Sequence, residues 1–143
     1  MRYSQYKFNF YLNASHAIYI DGKMGESHPH TWEIVLYTIK KQDNFVMFNE
    51  VEKTVENYLN KYQNKFINDF EPFTTLNPIL ENITRFFMDE FTKLLNDLGW
   101  VIFSIEVSET PTRSYIISTV ENNRIDELKQ ENMAKDIIEN AFE

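Results

Sequence analysis

Hydrophobic and polar positions alternate strictly near the start of the chain. Tyr6, Phe8, Phe10 and Leu12 fall on one face and Gln5, Lys7 and Asn9 on the other, the period-two pattern of a half-buried strand. A polar stretch from Asp21 to Ser27, containing Gly22 and Gly25, reads as a loop. Alternation resumes from about His28 to Ile39, where His28, His30, Trp32, Ile34 and Leu36 share a face. The period then changes. Val51, Val55, Tyr58, Leu59, Tyr62 and Phe66 recur at helical spacing and predict a helix from about Phe48 to Ile67. A second helix has marked ends: Asn77 suits the cap, Pro78 the first turn and Gly99 the stop. Leu80, Ile83, Phe87, Leu94 and Leu98 give it an apolar stripe of the kind that faces a core. A third strand runs from Trp100 to Glu109, with Val101, Phe103, Ile105 and Val107 on one face, and a fourth from about Ser114 to Val120. The remainder, Glu121 to Glu143, is acidic and weakly amphipathic, with Ile125, Leu128, Ile137 and Ala141 roughly aligned; it reads as a helix on the surface or at a subunit contact.

The order is therefore β-β-α-α-β-β with a C-terminal helix. It predicts an α+β fold, an antiparallel sheet with both helices on one face. Residues 1–120 form one domain and 121–143 an acidic helical extension. Four strands leave edges that need covering, and other subunits can supply that cover. At 143 residues the chain is long enough to bury a real core without staples. It has no cysteine, which excludes disulfides, thiolate ligands and a cysteine nucleophile and is compatible with a reducing cytoplasm. MRYSQYKFNF lacks the basic-then-apolar order of a secretory signal, and no apolar run approaches membrane-spanning length. A formal net charge of -8 argues against a nucleic-acid binder and against a generic binder of anionic membranes. A phosphorylated small molecule remains compatible, held by a few local cations.

Only three histidines are present, His16, His28 and His30, all within NASHAIYIDGKMGESHPHTWEI. An HxH pair alone recurs by accident. Here, though, the two-residue spacing puts both rings on the same face of a strand, and a hairpin brings His16 alongside. Three neutral imidazoles with one open position are a standard way to hold a catalytic zinc, which can polarise a carbonyl or hydroxyl oxygen. Glu33, Thr31 or backbone carbonyls are candidates to orient the rings. Glu109 extends the apolar face of the third strand where ETPT turns the chain. Taken alone it also fits a solvated glutamate at a strand end. A carboxylate on that face is costly unless paired, and a flat heterocycle with two adjacent N–H donors, such as a pterin or purine, is one natural partner.

These residues carry a resemblance. FYLNASH, then HPHTWEI, then NPILEN opening a helix, then EVSETPT, in this order and at these distances, resemble the 6-pyruvoyltetrahydropterin synthase / 6-carboxytetrahydropterin synthase family over roughly residues 3 to 118. The resemblance implies the tunnelling fold, in which trimers pool their sheets into a barrel, two trimers stack into a homohexamer and active sites lie between subunits. It implies that His16, His28 and His30 bind Zn2+ and that Glu109, with Thr110 beside it, anchors the pterin ring. It implies a substrate such as 7,8-dihydroneopterin triphosphate and a lyase reaction giving 6-pyruvoyl- or 6-carboxy-tetrahydropterin. The carboxypterin branch leads to the 7-deazaguanine base queuosine of tRNA. Lys23 and Arg113 are the local cations available to a triphosphate.

The departures from the family pattern concern proton transfer. Pro29 stands where Gly is usual between the paired histidines. In the helix-opening motif Pro78, Glu81 and Asn82 match, while Ile79 and Leu80 do not. The family's cysteine base, four positions before HxH, is Met24 here, and its Asp-His pair aligns with Gln63 and Asn64. None of these three side chains titrates. Some members place a glutamate in the same loop, which makes Glu26 the candidate base, ahead of Asp21 and Tyr19. Two alternatives to the zinc-dependent lyase stay open. One is a non-catalytic pterin- or purine-binding oligomer that retains zinc. The other is a different zinc-dependent reaction on a related heterocycle.

Overall fold

A computed structural model describes residues 4–41 and 46–119 of the chain. The C-terminal extension read as a helix over 121–143 lies outside the described residues. Among the described residues, seven strands and two helices form in the order β1 (Tyr6–His16), β2 (Tyr19–Ile20), β3 (Lys23–Met24), β4 (His28–Lys40), α1 (Phe48–Asn60), β5 (Lys65–Phe66), α2 (Leu80–Asp97), β6 (Trp100–Thr110) and β7 (Arg113–Ser118), with one 3₁₀ turn at Ile67–Asp69. Five strands make one sheet, ordered β5-β1-β4-β6-β7. Its pairings are antiparallel, except that β5 joins β1 in parallel, so the sheet is mixed rather than purely antiparallel.

The alternation in the sequence is realised directly. From β1, Phe8, Phe10, Leu12 and Ala14 enter the core; from β4, Trp32, Ile34 and Leu36 do. The same cluster takes Val51, Val55 and Leu59 of α1 and Leu80, Ile83, Phe87, Phe91 and Leu95 of α2. Both helices therefore cover the same face of the sheet, as the pattern predicts. Burying a large apolar side chain fully is worth about 1.5–3 kcal/mol, and this one-sided layer holds the hairpin of β1 and β4 flat against the helices.

Four local expectations are corrected. The first helix stops at Asn60 although Tyr62 and Phe66 continue its spacing. Asn64 takes a positive φ of 60° and donates its N–H to the Asn13 carbonyl at 2.6 Å, after which Lys65 pairs with Ala14. The unpaired edge of β1 thus recruits the chain out of the helix, while Tyr62 and Ile67 stay buried through the turn. Asn77 does not cap α2, and Pro78 precedes its first turn; the cap residue is Ile79, without a side-chain hydrogen bond. The stop is as expected: Gly99 follows the end of α2 with φ +85°.

On β6 the expected face is broken by a bulge. Tyr37 of β4 faces Ser104 but Thr38 faces Ile102, leaving Phe103 as the extra residue. Ile105 and Val107 stay in the core, joined by Trp100 and Ile102, so Val101 and Phe103 do not share their face. Finally, the stretch read as a loop from Asp21 to Ser27 contains a small hairpin. Ile20 pairs with Lys23 across a two-residue turn whose residues, Asp21 (φ 51°) and Gly22 (φ 76°), both have positive φ, as hairpin turns of this length favour.

Phe91 tests the helix layer. It is fully buried, stacked on Phe87 at 5.3 Å and edge-on to Tyr58 at 5.4 Å. Phe91→Ala is expected to lower stability by about 3–5 kcal/mol, read as a shift in the urea midpoint at unchanged slope.

Candidate metal and ring-binding site

The register of β1 and β4 assembles the three imidazoles. His16 ends β1 directly opposite His28, which begins β4, and Ala14 faces His30. All three rings lie on the core side of the sheet, at its open end, because each falls in the same alternation as the core residues before or after it. Trp32 succeeds His30 on that face and forms the floor. Its ring stands edge-on to His16 at 4.9 Å and to His30 at 5.3 Å, and its indole N–H donates to the Ala14 carbonyl at 3.2 Å. His16 is fully buried; His28 and His30 are half-buried. One ring nitrogen from each lies within 4.8 Å of the others.

Hydrogen bonds fix the tautomers. His16 Nδ1 is 2.8 Å from the Pro78 carbonyl oxygen and His28 Nδ1 is 3.1 Å from that of Glu26. A carbonyl only accepts, so both Nδ1 atoms carry the proton and both Nε2 atoms present a lone pair. Those Nε2 atoms stand 2.9 Å apart. Two lone pairs at that distance repel unless a cation lies against both, either a proton on one ring or a metal ion. Burial disfavours the proton on His16, holding that imidazole below its ordinary pKa against the Pro78 hydrogen bond, with the other two rings lowering it further. Burial lowers His30 as well, against the pull of the Glu109 charge. Neutral imidazoles with converging lone pairs are the donor set that zinc favours.

The ring partners are backbone carbonyls, one of the options offered by the sequence. Thr31 and Glu33 are not. Odd positions of β4 point away from the helices, where Thr31 donates to Asn13 Oδ1 at 2.8 Å and Glu33 accepts from Asn9 at 3.1 Å.

Glu109 lies on the metal side of the sheet. The β6–β7 register slips between Ser108 and Thr110, and Glu109 sits in that irregularity. Its carboxyl is only 10% exposed. Oε2 is 4.0 Å from Nε2 of both His16 and His30, and Oε1 accepts from Arg113 Nε at 3.1 Å, with Nη2 3.0 Å away in the same ion pair. A cleft of about 530 Å³ runs from Tyr11, Thr31 and Glu33 on the outer face to His30, Glu109 and Thr110 at the end of the sheet, within the range that holds a small heterocycle.

Other expected residues are placed less closely. Glu26 reaches the site through its backbone carbonyl on His28, while its side chain belongs to an exposed residue. Lys23 and Met24 are exposed on β3, and Thr110 Oγ1 lies 3.2 Å from Thr112 Oγ1. Asp21 occupies the hairpin turn, and the Tyr19 hydroxyl donates to the Thr74 carbonyl at 3.5 Å.

Three side-chain amides support this end of the sheet, and sequence periodicity gives no sign of them. The Asn68 amide accepts the Ala17 N–H at 2.9 Å and donates to the Ala17 carbonyl at 2.8 Å. Asn77 does the same for Tyr19, with both contacts at 2.9 Å. Gln63 accepts from Asn13 N–H and donates to the Tyr11 carbonyl, again at 2.9 Å each. Each amide supplies the donor and acceptor that a neighbouring strand would otherwise supply. Gly25 closes the hairpin back on the same segment: its N–H donates to the Ile18 carbonyl at 2.9 Å, and a Cβ there would come within 3.1 Å of that oxygen.

A family model described as 6-pyruvoyl tetrahydropterin synthase matches residues 5–120. The chain belongs to the 6-pyruvoyl tetrahydropterin synthase family. Solved structures agree on the fold. The Caenorhabditis elegans 6-pyruvoyl tetrahydropterin synthase superposes with a TM-score of 0.67 at 14% identity, covering 83% of this chain and 97% of that one. The Plasmodium falciparum 6-pyruvoyl tetrahydropterin synthase gives 0.59 at 15% identity, covering 81% and 98%. An uncharacterized Wolinella succinogenes protein, WS1659, gives 0.64 at 11% identity, covering 81% and 98%. No curated protein matches the chain in sequence. The architecture is thus the tunnelling fold of the pterin synthases, a family of lyase-type enzymes, and His16, His28 and His30 form a group able to hold a metal. No helix among the described residues is long and apolar enough to cross a membrane.

Asn68 provides the test of the amide scaffold. It is buried, and Asn68→Ala leaves both backbone groups of Ala17, the residue after His16, without their partners. The expected cost is about 1–3 kcal/mol, measured by urea unfolding of metal-free protein.

Proposed function

We propose that this chain is a zinc-dependent pterin lyase acting on 7,8-dihydroneopterin triphosphate or a close relative, forming 6-carboxy- or 6-pyruvoyl-tetrahydropterin. The observation that carries the reading is the convergence of three imidazoles, two with outward-bonded Nδ1 atoms and facing Nε2 lone pairs, in a chain of this family. His16, His28 and His30 would hold the ion, which when bound supplies a Lewis acid for the side-chain oxygens of the substrate. Trp32 and the carbonyls of Pro78 and Glu26 fix how those rings face it.

Glu109 offers a carboxylate to ring N–H donors, with the Thr110 hydroxyl next along the strand. Lys23 on β3 and Arg113 at the start of β7 supply positive charge for the triphosphate. Proton abstraction falls to Glu26. A glutamate in that role is supported by the Plasmodium vivax 6-pyruvoyltetrahydropterin synthase, in which a glutamate is a catalytic residue. The Glu26 backbone is tied to His28 through one hydrogen bond, so its carboxylate hangs one short loop from the metal ligands. The assembly we infer is a cytoplasmic homohexamer, a dimer of trimers with sites at subunit interfaces.

A second reading, a pterin- or purine-binding oligomer without turnover, is favoured by one observation. At the position aligned with the family's acid, the Gln63 amide is engaged with Asn13 and Tyr11 of β1 and carries no titratable proton.

Incubation of zinc-loaded protein with 7,8-dihydroneopterin triphosphate, with products identified by mass spectrometry, separates the two. A tetrahydropterin product establishes the lyase; bound but unchanged substrate establishes the binder. For the lyase, Glu26→Gln is expected to lower turnover by about 10²-fold or more with zinc content unchanged, and a fully active variant would remove Glu26 from the reaction. Stripping the ion with a chelator is expected to abolish product formation, and zinc addition to restore it.

A further inference from the structure

Glu109 is placed for more than gripping a ring. Its Oε2 stands at equal distance, 4.0 Å, from Nε2 of His16 and of His30. Its other oxygen is taken: Arg113 Nε donates to Oε1 at 3.1 Å, with Nη2 3.0 Å from the same oxygen. A carboxylate held in this way has its second oxygen, Oε2, left to present lone pairs, and that oxygen lies toward the histidine nitrogens. The carboxyl group is largely removed from solvent, so a cation on the inner side would add to the pairing that Arg113 gives on the outer. The register slip between Ser108 and Thr110 lies at this residue, and irregularities of this kind re-aim a side chain.

We propose that Glu109 is the fourth protein ligand of the resting metal centre, with Arg113 as the positioning residue that aims Oε2 inward. The proposal rests on metal binding by the three histidines and deepens the reading given above. In the resting centre the ion is closed by protein donors, three nitrogens and one carboxylate oxygen. A ring with adjacent N–H groups competes for the same carboxylate. Its arrival draws Glu109 off the ion and frees a coordination position for the substrate's own oxygens. Recognition of the ring and opening of the metal would then be a single exchange.

Azide binding to the cobalt(II)-loaded full chain, monitored by visible absorption, tests this without any turnover. A small anion can coordinate only when the fourth position is free. If Glu109 holds that position nine-tenths of the time, the apparent azide affinity falls about tenfold. Glu109→Ala is therefore expected to bind azide about tenfold or more tightly than the unaltered protein, with Arg113→Ala between them. Equal azide affinity in the unaltered protein and in Glu109→Ala overturns the proposal while leaving the three-histidine site intact. Failure of the unaltered protein to take up cobalt overturns both this proposal and the metal-dependent reading. Arg113 is 64% exposed, so Arg113→Ala carries the test if Glu109→Ala does not fold: tighter azide binding than in the unaltered protein supports the proposal, and unchanged binding overturns it.

Discussion

The register between β1 and β4 is the constraint on which the rest of this structure depends. Eleven residue pairs run in step from Tyr6 and Thr38 to His16 and His28. Because side chains alternate with a period of two, a slip of β1 by one residue would turn Phe10 and Leu12 out to the other face and carry His16 away from His28 and His30. The three histidines and the apolar core are the same stripe, continued past the point where the helices stop covering it. The hydrophobic effect that seats the sheet against α1 and α2 therefore also sets the geometry of the ligands, and no separate device has to align His16 with His28.

Beyond the hairpin, the site is held by groups that stand in for absent strands. After His16 the chain leaves the sheet, and its backbone groups need partners in a buried place. Asn68 and Asn77 meet them with one amide each, and Gln63 does so on the edge of β1. These amides lie outside the two helices: Gln63 just after α1, Asn68 within the 3₁₀ turn and Asn77 just before α2. The connection between the helices is in this way a structural part of the histidine site. It also supplies the Pro78 carbonyl that sets the His16 tautomer.

Periodicity and residue chemistry made much of this legible. The two long strands, both helices, the shared face of the three histidines and the place of Glu109 at the end of an inward alternation could all be read from the chain. Features that stayed hidden depend on backbone groups seeking partners at a distance. Helical spacing at Tyr62 and Phe66 gave way to the free edge of β1. Asn77 looked like a helix cap because capping and strand mimicry both use the amide oxygen as an acceptor of a backbone N–H. The bulge at Phe103 has no compositional mark, so the expected face of β6 was wrong at Val101 and Phe103 while right at Ile105 and Val107. Thr31 and Glu33 were near the histidines in sequence but sit on the opposite face, and the oxygens that orient the rings are main-chain atoms, which no side-chain pattern reveals.

The distribution of the site along the chain has a consequence for how it forms. His16, His28 and His30 belong to one hairpin, the first two twelve positions apart, so they meet on closure of a short loop at small entropic cost. The Pro78 carbonyl lies 62 residues from His16, and Glu109 comes from the penultimate described strand. Contacts of such separation carry a larger loop-closure cost than the hairpin does. The nitrogen donors can therefore gather before the carbonyl and the carboxylate arrive, and an ion captured at that stage would organise the hairpin onto which the helices and β6 later dock.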